Sequence, residues 1–493
     1  MNTARYAPRP MHEQSPDLKR GGRVGPVGES KRVAAMDVIR GVALFGILAV
    51  NMDFFAGPFA AMFSDETAWT VSGLDAAAFW TVATVFQGKF ISLFSFLFGA
   101  GIALQLLRLD ETRGGMAANL LLLRRLFVLG AFGLIHATLI WYGDILFIYA
   151  TLGWVLLLLR YLPHRVVGWL GVAMLVVAMG CMAGFGLLMA SKTAMMEAAQ
   201  TPSALVAEDG ALASDRGASD VATSDDAEVL AEESVIPVPD GPTSFELFKE
   251  FGAETSWSVV DPRWEPFELA TYRHGPTEVA VTLRAFQWAS TVPVMYILYG
   301  PHLLCLFCFG MFAARAGLLR EEHARLQRTL AWIGIPIGLA LSAIVPSMRM
   351  MGWSQTDPLV AGLGAVQELG TVLLALGYAG ALARVAYAGP PALAAFLGQT
   401  GRMAFTIYLS MSVLMTGLFY WWGFGLFDTV GHAGRFAIAV VTWLALSVAA
   451  QLWMRAFVMG PLEWIWRTLS YLRIPPLRRV AGESSGGAGA SEG

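Results

Sequence analysis

The chain has 493 residues, 56% of them hydrophobic and 14% charged, with a net charge of −3 and a mean hydropathy of +0.56. Soluble chains carry about a quarter charged residues. Here the apolar residues also run in blocks too long for globular cores, which excludes a soluble enzyme, a secreted disulfide scaffold and a disordered chain. The composition is that of an all-α, polytopic transmembrane helical bundle, with the lipid bilayer as its first partner.

Residues 1–33 carry Arg5, Arg9, Lys19, Arg20, Arg23, Lys31 and Arg32 but no apolar core followed by a small-residue cleavage site, so they read as a basic cytoplasmic tail. Apolar runs long enough to span follow near 34–57, 76–107, 121–140, 145–161, 166–190, 289–314, 329–347, 359–384, 403–424 and 434–457, about ten in all. The second run is interrupted by Gln87-Gly88-Lys89 and reads as an interfacial helix over 74–87 leading into a span at 90–107. The spans group into an N-terminal membrane region, 34–190, and a C-terminal one, 289–475, with a flexible tail at 476–493. Lys and Arg recur in alternate loops, at Arg108, Arg124 and Arg125, Arg160 and Arg165, Arg315 to Arg328, Arg384 and Arg402, and Arg467 to Arg479. By the positive-inside rule this predicts both termini in the cytoplasm.

The segment 191–288 then lies outside. Its first part, 191–241, holds 11 acidic residues against Lys192 and Arg216, a local balance of −9, and its Ala/Ser/Asp/Pro mixture over 192–241 reads as a disordered acidic loop. Beyond Pro242 the composition turns aromatic, with Phe245, Phe248, Phe251, Trp257, Trp264 and Phe267, which predicts a surface-lying or lid-like segment.

An ionised side chain at the bilayer centre costs about 2.5–3.5 kcal/mol on insertion scales, so polar groups on the spans need a reason. Arg40 and Asn51 are eleven residues apart on the first span, three turns and about 16 Å along one face. Asp37 and Arg40 have the spacing of an ion pair. His136 lies deep in the third span, eleven residues after Arg125, and Asp144, eight residues on, is placed to orient it; a packing histidine is the bland alternative. Lys89 either faces a cavity and meets an anionic group or snorkels to the outer interface. Arg124 and Arg125 sit at a helix end suited to a phosphate, although anchoring by positive charge explains them equally. Cys181, Cys305 and Cys308 lie in apolar runs and read as small apolar residues, since no second pair or nearby His ligands accompany Cys305-x-x-Cys308. No Walker loop, Rossmann fingerprint, HExxH or zinc-spaced cluster occurs, and no basic stripe interleaved with aromatics, so neither a self-powered ATP pump nor nucleic-acid binding is indicated.

Asp37-Val38-Ile39-Arg40-Gly41 with Gly46 to Asn51, Lys89-Phe90 with Ser92 to Gly99, and Arg124-Arg125 with Gly133-x-x-His136 and Trp141-x-Gly143-Asp144 to Tyr149 resemble successive motifs of the YeiB-like family of bacterial inner-membrane proteins. Gly310-Met311, Gly401-Arg402-Met403-Ala404 with Tyr408, and Gly460-Pro461-Leu462-Glu463 to Arg467 are similar to that family's C-terminal domain of unknown function 418. The resemblance covers 33–190 and 265–475, with 192–264 as an insertion, and Ile407 and Met411 stand where polar Asn and Gln are expected. It implies a multi-pass protein of the bacterial inner membrane. More distantly, the family is similar to transmembrane acyltransferases, including heparan-alpha-glucosaminide N-acetyltransferase and bacterial sugar O-acyltransferases, the latter carrying His where this chain has Asn51.

Three functions follow as expectations. The first is acyl transfer from a cytoplasmic donor to an extracytoplasmic or lipid-linked acceptor. In that reading acyl-CoA is the donor substrate and no cofactor or metal is resident; His136 is the base oriented by Asp144, and Arg40, Asn51, Lys89, Arg124, Arg125, Tyr149 and Arg402 bind the donor or substrate. The second is a small-molecule permease using the same polar groups, and the third a non-enzymatic scaffold recruiting a partner through the acidic loop. Self-association into a homo-oligomer is compatible with all three.

Overall fold

The computed structural model describes residues 33–59, 71–113, 115–200, 241–258, 261 and 263–479. The basic tail over 1–32, the acidic stretch over 201–240 and the end of the C-terminal tail lie outside the described residues. Among the described residues there are helices and no strands beyond one isolated bridge, Phe457 to Arg478.

Among the described residues seven helical segments are long and apolar enough to cross a membrane, or nine counting each of two bent pairs as one span. Helix α1 is Ala34–Ala56; α2, Gly73–Thr81, continues through a π turn, Val82–Phe86, and breaks at Gln87-Gly88 before α3, Lys89–Arg113. Helix α4, Gly115–Ile135, ends in a second π turn, His136–Ile140, and α5 (Leu146–Leu159) and α6 (His164–Gln200) follow. After the undescribed stretch come α7 (Phe245–Glu254), α8 (Trp264–His274) and a pair bent by 59°, α9 (Thr277–Leu298) and α10 (Gly300–Arg315). Then α11 (Ala324–Thr329) leads through a third π turn into α12 (Ile335–Met350), followed by the short α13 (Pro358–Gly362) and α14 (Gly364–Ala388). A second pair, α15 (Pro391–Arg402) and α16 (Ala404–Phe419), is bent by 74°; α17 (His432–Ala456) and α18 (Pro461–Tyr471) complete the fold.

Hydrocarbon as the surrounding solvent explains why these helices present apolar residues outwards. The α6 span has a mean hydropathy of 2.3, yet only 6% of it is buried inside the protein, and Trp169, Val176 and Leu188 are exposed. In water such a helix would be intolerable; in lipid it is at its free-energy minimum. The chain is a multi-pass membrane protein.

With no hydrophobic driving force between spans, close backbone approach holds them together. Helix α1 runs among α3, α14, α15, α16 and α17. A Cβ on Gly41 would lie 2.2 Å from the Leu397 carbonyl oxygen, and one on Gly401 1.8 Å from the Asp37 oxygen, so α1 and α15 touch backbone to backbone. Gly99 and Gly310 do the same for α3 and α10. The glycine motifs of the sequence are therefore contact surfaces that leave no room for any other residue.

The aromatic segment is not surface-lying as the composition suggests. Phe248, Phe251, Trp264 and Phe267 are buried in one cluster with Phe55 of α1, Trp141 and Phe419, and the Phe59 amide donates to Glu268 at 2.6 Å. The alternation of Phe and Trp at helical spacing forms a core because α7 and α8 pack their faces together over the end of α1. Cys305 and Cys308 are free thiols packed among apolar neighbours.

A Cβ on Gly310 would lie 1.9 Å from the Phe96 carbonyl oxygen, whereas one on Gly180 would meet nothing within 4 Å. Gly310→Ala should therefore destabilise by about 1–3 kcal/mol through overpacking, while Gly180→Ala is silent; thermal unfolding of the two variants in one detergent makes the comparison.

Candidate functional site

At the end of the bundle where α1 begins, a cavity of about 400 Å³ opens between α1, α3, α4, α5, α16 and α18. Its walls are largely apolar, but Arg40, Arg108, Arg125, Arg402 and Arg467 all line it, with two carboxylates, Asp37 and Glu463, among the described residues. Arg40 Nη1 bonds Asp37 Oδ1 at 3.1 Å, the ion pair that the spacing predicts. The α1–α15 contact puts Arg40 and Arg402 in the same cavity although they are 362 positions apart in the chain.

Arg125 has a different environment. It is 8% exposed, its guanidinium stacks 4.1 Å from the centre of the Trp466 ring, and Nη1 donates to the Tyr471 hydroxyl at 2.7 Å. No carboxylate among the described residues pairs with it. A nearly buried cation satisfied by rings and one hydroxyl retains most of its field, and that field falls on the cavity. Arg124, its neighbour, does not line the cavity.

Glu463 shapes the floor. Its Oε1 accepts from the Phe405 and Thr406 amides at 2.8 and 3.1 Å, and Thr406 Oγ1 donates to Oε2. These are the first amides of α16, which a 74° bend has deprived of carbonyl partners, so the carboxylate caps a broken helix from a distance. Burial pushes the Glu463 carboxyl above its ordinary range, opposed by the Thr406 hydroxyl and these amides. A Cβ on Gly460 would sit 2.1 Å from Glu463 Oε2, which accounts for the glycine in Gly460-Pro461-Leu462-Glu463.

His136 and Asp144 lie at the inner end of this site. His136 Nδ1 and Asp144 Oδ2 are 2.9 Å apart, and both residues are buried. The sequence places Asp144 on a continuing helix face; instead α4 ends at the π turn, the chain reverses through Trp141-Tyr142-Gly143, and Asp144 returns beside the imidazole. Its Oδ1 accepts from the Phe147 amide at 2.8 Å, and a Cβ on Gly133 would come within 2.7 Å of that oxygen, so α4 can admit the carboxylate only at a glycine. The carboxylate holds the proton on Nδ1 and leaves Nε2 as the outward nitrogen. Nε2 has no partner among the described residues, and neither does Oε1 of the cavity-lining Gln105. His136 is not itself in the wall: the Tyr408 ring, centred 5.4 Å from the imidazole, stands between it and the cavity. Tyr149 lines the wall, its hydroxyl 2.7 Å from Ser95 Oγ and donating to the Ile91 carbonyl.

Two sequence expectations are displaced. Asn51 does not join Arg40 in this cavity, nor does it line the second one described below. Lys89 neither snorkels nor faces either cavity: it is fully buried, and Nζ donates at 3.2 Å to the Ala83 carbonyl in the π turn that precedes it. The positive φ of Gly88, 81°, folds the start of α3 back under that turn and traps the ammonium.

A second cavity of about 690 Å³ lies at the opposite end of α1, lined by Val50, Asp53 and Phe54. Asp53 bonds His432 Nδ1 at 3.1 Å and Arg435 Nη1 at 3.2 Å, and His302 and Glu368, which bond each other, form part of its wall. Sequence reasoning misses His302, Glu368, His432 and Arg435. They come from three different helices, α10, α14 and α17, and the only available signal is the cost of burying them.

Residues 313–473 match a family model described as "Protein of unknown function (DUF418)". Over 463 residues the chain is 28% identical to the uncharacterized protein YxaH of Bacillus subtilis (strain 168), covering 92% of this chain and 98% of that one. It is 26% identical over 449 residues to the uncharacterized protein YeiB of Escherichia coli (strain K12), covering 89% and 96%. The chain is therefore similar to the YeiB-like proteins over about nine-tenths of its length, and its C-terminal third matches DUF418. A shorter similarity, 34% over 132 residues, links 27% of the chain to 35% of an uncharacterized 39.9 kDa protein in the amylase 3′ region of Bacillus acidopullulyticus. No solved structure matches. Among the residues described above, Arg402 and Glu463 fall inside the DUF418 match, whereas Arg40, Arg125, His136 and Asp144 lie N-terminal to it. The arginine cavity is thus assembled jointly by the DUF418 portion and the preceding helices.

Glu463→Ala should strip the α16 amides of their acceptor and cost about 1–2 kcal/mol, as loss of a helix cap does. Hydrogen exchange at Phe405 and Thr406 is expected to accelerate selectively, with Glu463→Gln intermediate between the variant and the native chain.

Proposed function

We propose that this protein is a membrane acyltransferase that draws its acyl group from a cytoplasmic thioester of the acyl-CoA type and passes it to a hydroxyl or amine acceptor, extracytoplasmic or lipid-linked. The observation that carries the reading is Arg125, a nearly buried guanidinium without a carboxylate partner among the described residues, in a cavity lined by four further arginines and backed by an oriented histidine. Phosphate groups of the donor bind at Arg125, with Arg40, Arg402, Arg108 and Arg467 adding positive charge to the same cavity, by charge-assisted bonds. The apolar remainder of the wall suits an acyl chain.

In the proposed step Tyr408 swings aside, His136 Nε2 takes the proton of the acceptor, and the freed oxygen or nitrogen bonds to the thioester carbonyl carbon. The C–S bond breaks, and the departing thiolate takes the proton back from Nε2. Asp144 keeps the imidazole in the tautomer that accepts at Nε2 and stabilises its charged form, acting as a positioning residue. The topology that suits this chemistry has ten spans: the seven long helices, both bent pairs and α5 as a short tenth. Its termini are cytoplasmic, the membrane is the bacterial inner one, and the membrane regions are 34–190 and 289–475. The arginine cavity then faces the cytoplasm.

A second reading rests on the two cavities themselves, which flank opposite ends of α1 as the two mouths of a permease would. Substrate uptake into liposomes without a covalent product would favour it over catalysis.

With purified protein and acyl-CoA, His136→Gln is expected to lower transfer or hydrolysis at least about 100-fold while leaving donor binding intact. Arg125→Ala is expected to weaken donor binding about 10- to 100-fold, the worth of a hydrogen bond to a charged group. Unchanged turnover in the first variant removes the acyltransferase proposal.

A further inference from the structure

The second cavity contains a constellation that the proposed reaction does not use. Ser92 Oγ lies 2.8 Å from His302 Nε2, and His302 Nδ1 is hydrogen-bonded to Glu368 Oε1. Ser92, His302 and Glu368 are 0%, 1% and 7% exposed. They come from three helices, α3, α10 and α14, so no local sequence pattern brings them together. The order hydroxyl, imidazole, carboxylate, with each imidazole nitrogen engaged by one partner, is that of a nucleophile, its base and the group that orients the base. A histidine in a merely structural site needs no carboxylate on one side and a hydroxyl on the other in this order.

Two details favour chemistry over packing. The Ser92 hydroxyl also lies 2.6 Å from the Gly88 carbonyl oxygen, a local bond within the first turn of α3. The hydroxyl hydrogen alone has to rotate to pass from Gly88 to Nε2, because a serine hydroxyl has one donor and a free rotor. The resting state therefore parks the nucleophile at no conformational cost. Secondly, His302, Glu368 and Gly88 all line the 690 Å³ cavity, so Ser92 Oγ is hydrogen-bonded to the residues that form its wall. Buried Lys89 Nζ donates to the Ala83 carbonyl and so fixes the turn that precedes Gly88.

We propose that Ser92, His302 and Glu368 form a nucleophilic triad serving the second cavity, with an activated acyl group, ester or thioester, as its substrate class. The proposal is independent of the His136 reading. In the first half-reaction the Ser92 proton moves to His302 Nε2, Oγ bonds to the carbonyl carbon, and the alkoxide or thiolate leaves with that proton. In the second, water or an acceptor hydroxyl gives its proton to Nε2 and its oxygen bonds to the carbonyl carbon; the Ser92 oxygen then leaves and recovers the proton. Glu368 stabilises the imidazolium in both halves. Entry requires the wall at Gly88 and His302 to open, since the hydroxyl is fully covered at rest.

The test uses the full-length protein in detergent and a small alkyl fluorophosphonate, which phosphonylates activated serines irrespective of their acyl substrate. Intact-mass and peptide analysis should find one adduct, on Ser92, absent in Ser92→Ala and formed at least tenfold more slowly in His302→Gln and Glu368→Gln. A wild-type protein that unfolds cooperatively yet carries no adduct on Ser92 overturns the proposal without recourse to any variant. So does an adduct whose rate is the same in a folded His302→Gln protein. Labelling at Ser92 with no acyl-CoA turnover would leave this triad standing and sink the cytoplasmic-donor reading, and the converse result would do the opposite.

Discussion

Backbone contact between α1 and α15 is the constraint on which the rest of the arrangement depends. At Gly41 and Gly401 the two helices approach too closely for any side chain, and this brings Arg40 and Arg402 to the same cavity. In a membrane that closeness has to come from shape, since lipid tails are as hospitable to a leucine as another helix is. Once α15 is held there, α16 must leave at a steep angle, its first amides must be satisfied by Glu463, and Tyr408 is delivered to the partition between the cavity and His136. One tight contact thus propagates into the position of most groups at the site.

Charge is distributed unequally between the two ends of α1. The cavity near its start is lined by five arginines and two carboxylates; the one near its end holds Asp53, Asp75, Glu368 and Asp428 with Arg349 and Arg435. The polar groups of the second cavity are largely paired with one another, as Asp53 is with His432 and Arg435. Arg125 in the first is not paired with a carboxylate among the described residues. A protein interior tolerates an unneutralised guanidinium only where something anionic meets it or where rings shield it, and Trp466 and Tyr471 provide such rings.

The helices and their glycine faces were legible because both are local: hydropathy over about twenty residues marks a span, and a glycine within an apolar run marks close approach. The His136–Asp144 pair was legible for a reason that proved incomplete. Spacing on a regular helix suggested it, whereas the contact is made by a π turn and a chain reversal that no period reveals. Lys89 was misplaced because its burial depends on the left-handed backbone at Gly88, and Asn51 because a shared helical face says nothing of where a cavity ends. Contacts such as Ser92 with His302, 210 residues apart, or Asp53 with Arg435, 382 apart, have no signature in a single chain. The aromatic segment from Phe245 onward was recognisable as unusual, but whether such residues cover a surface or make a core is decided by a partner face, and that face belongs to α1 and α16.

The cap on α16 has a temporal side. Phe405 and Thr406 leave the ribosome well before Glu463, which lies 57 and 58 positions downstream. During synthesis the steep corner after Arg402 therefore has no acceptor of its own, and the nascent pair must wait, straightened or hydrated, until α18 is made. Folding of this half is closed from the C-terminal side, so the amphipathic α18 acts as the latch of the whole assembly.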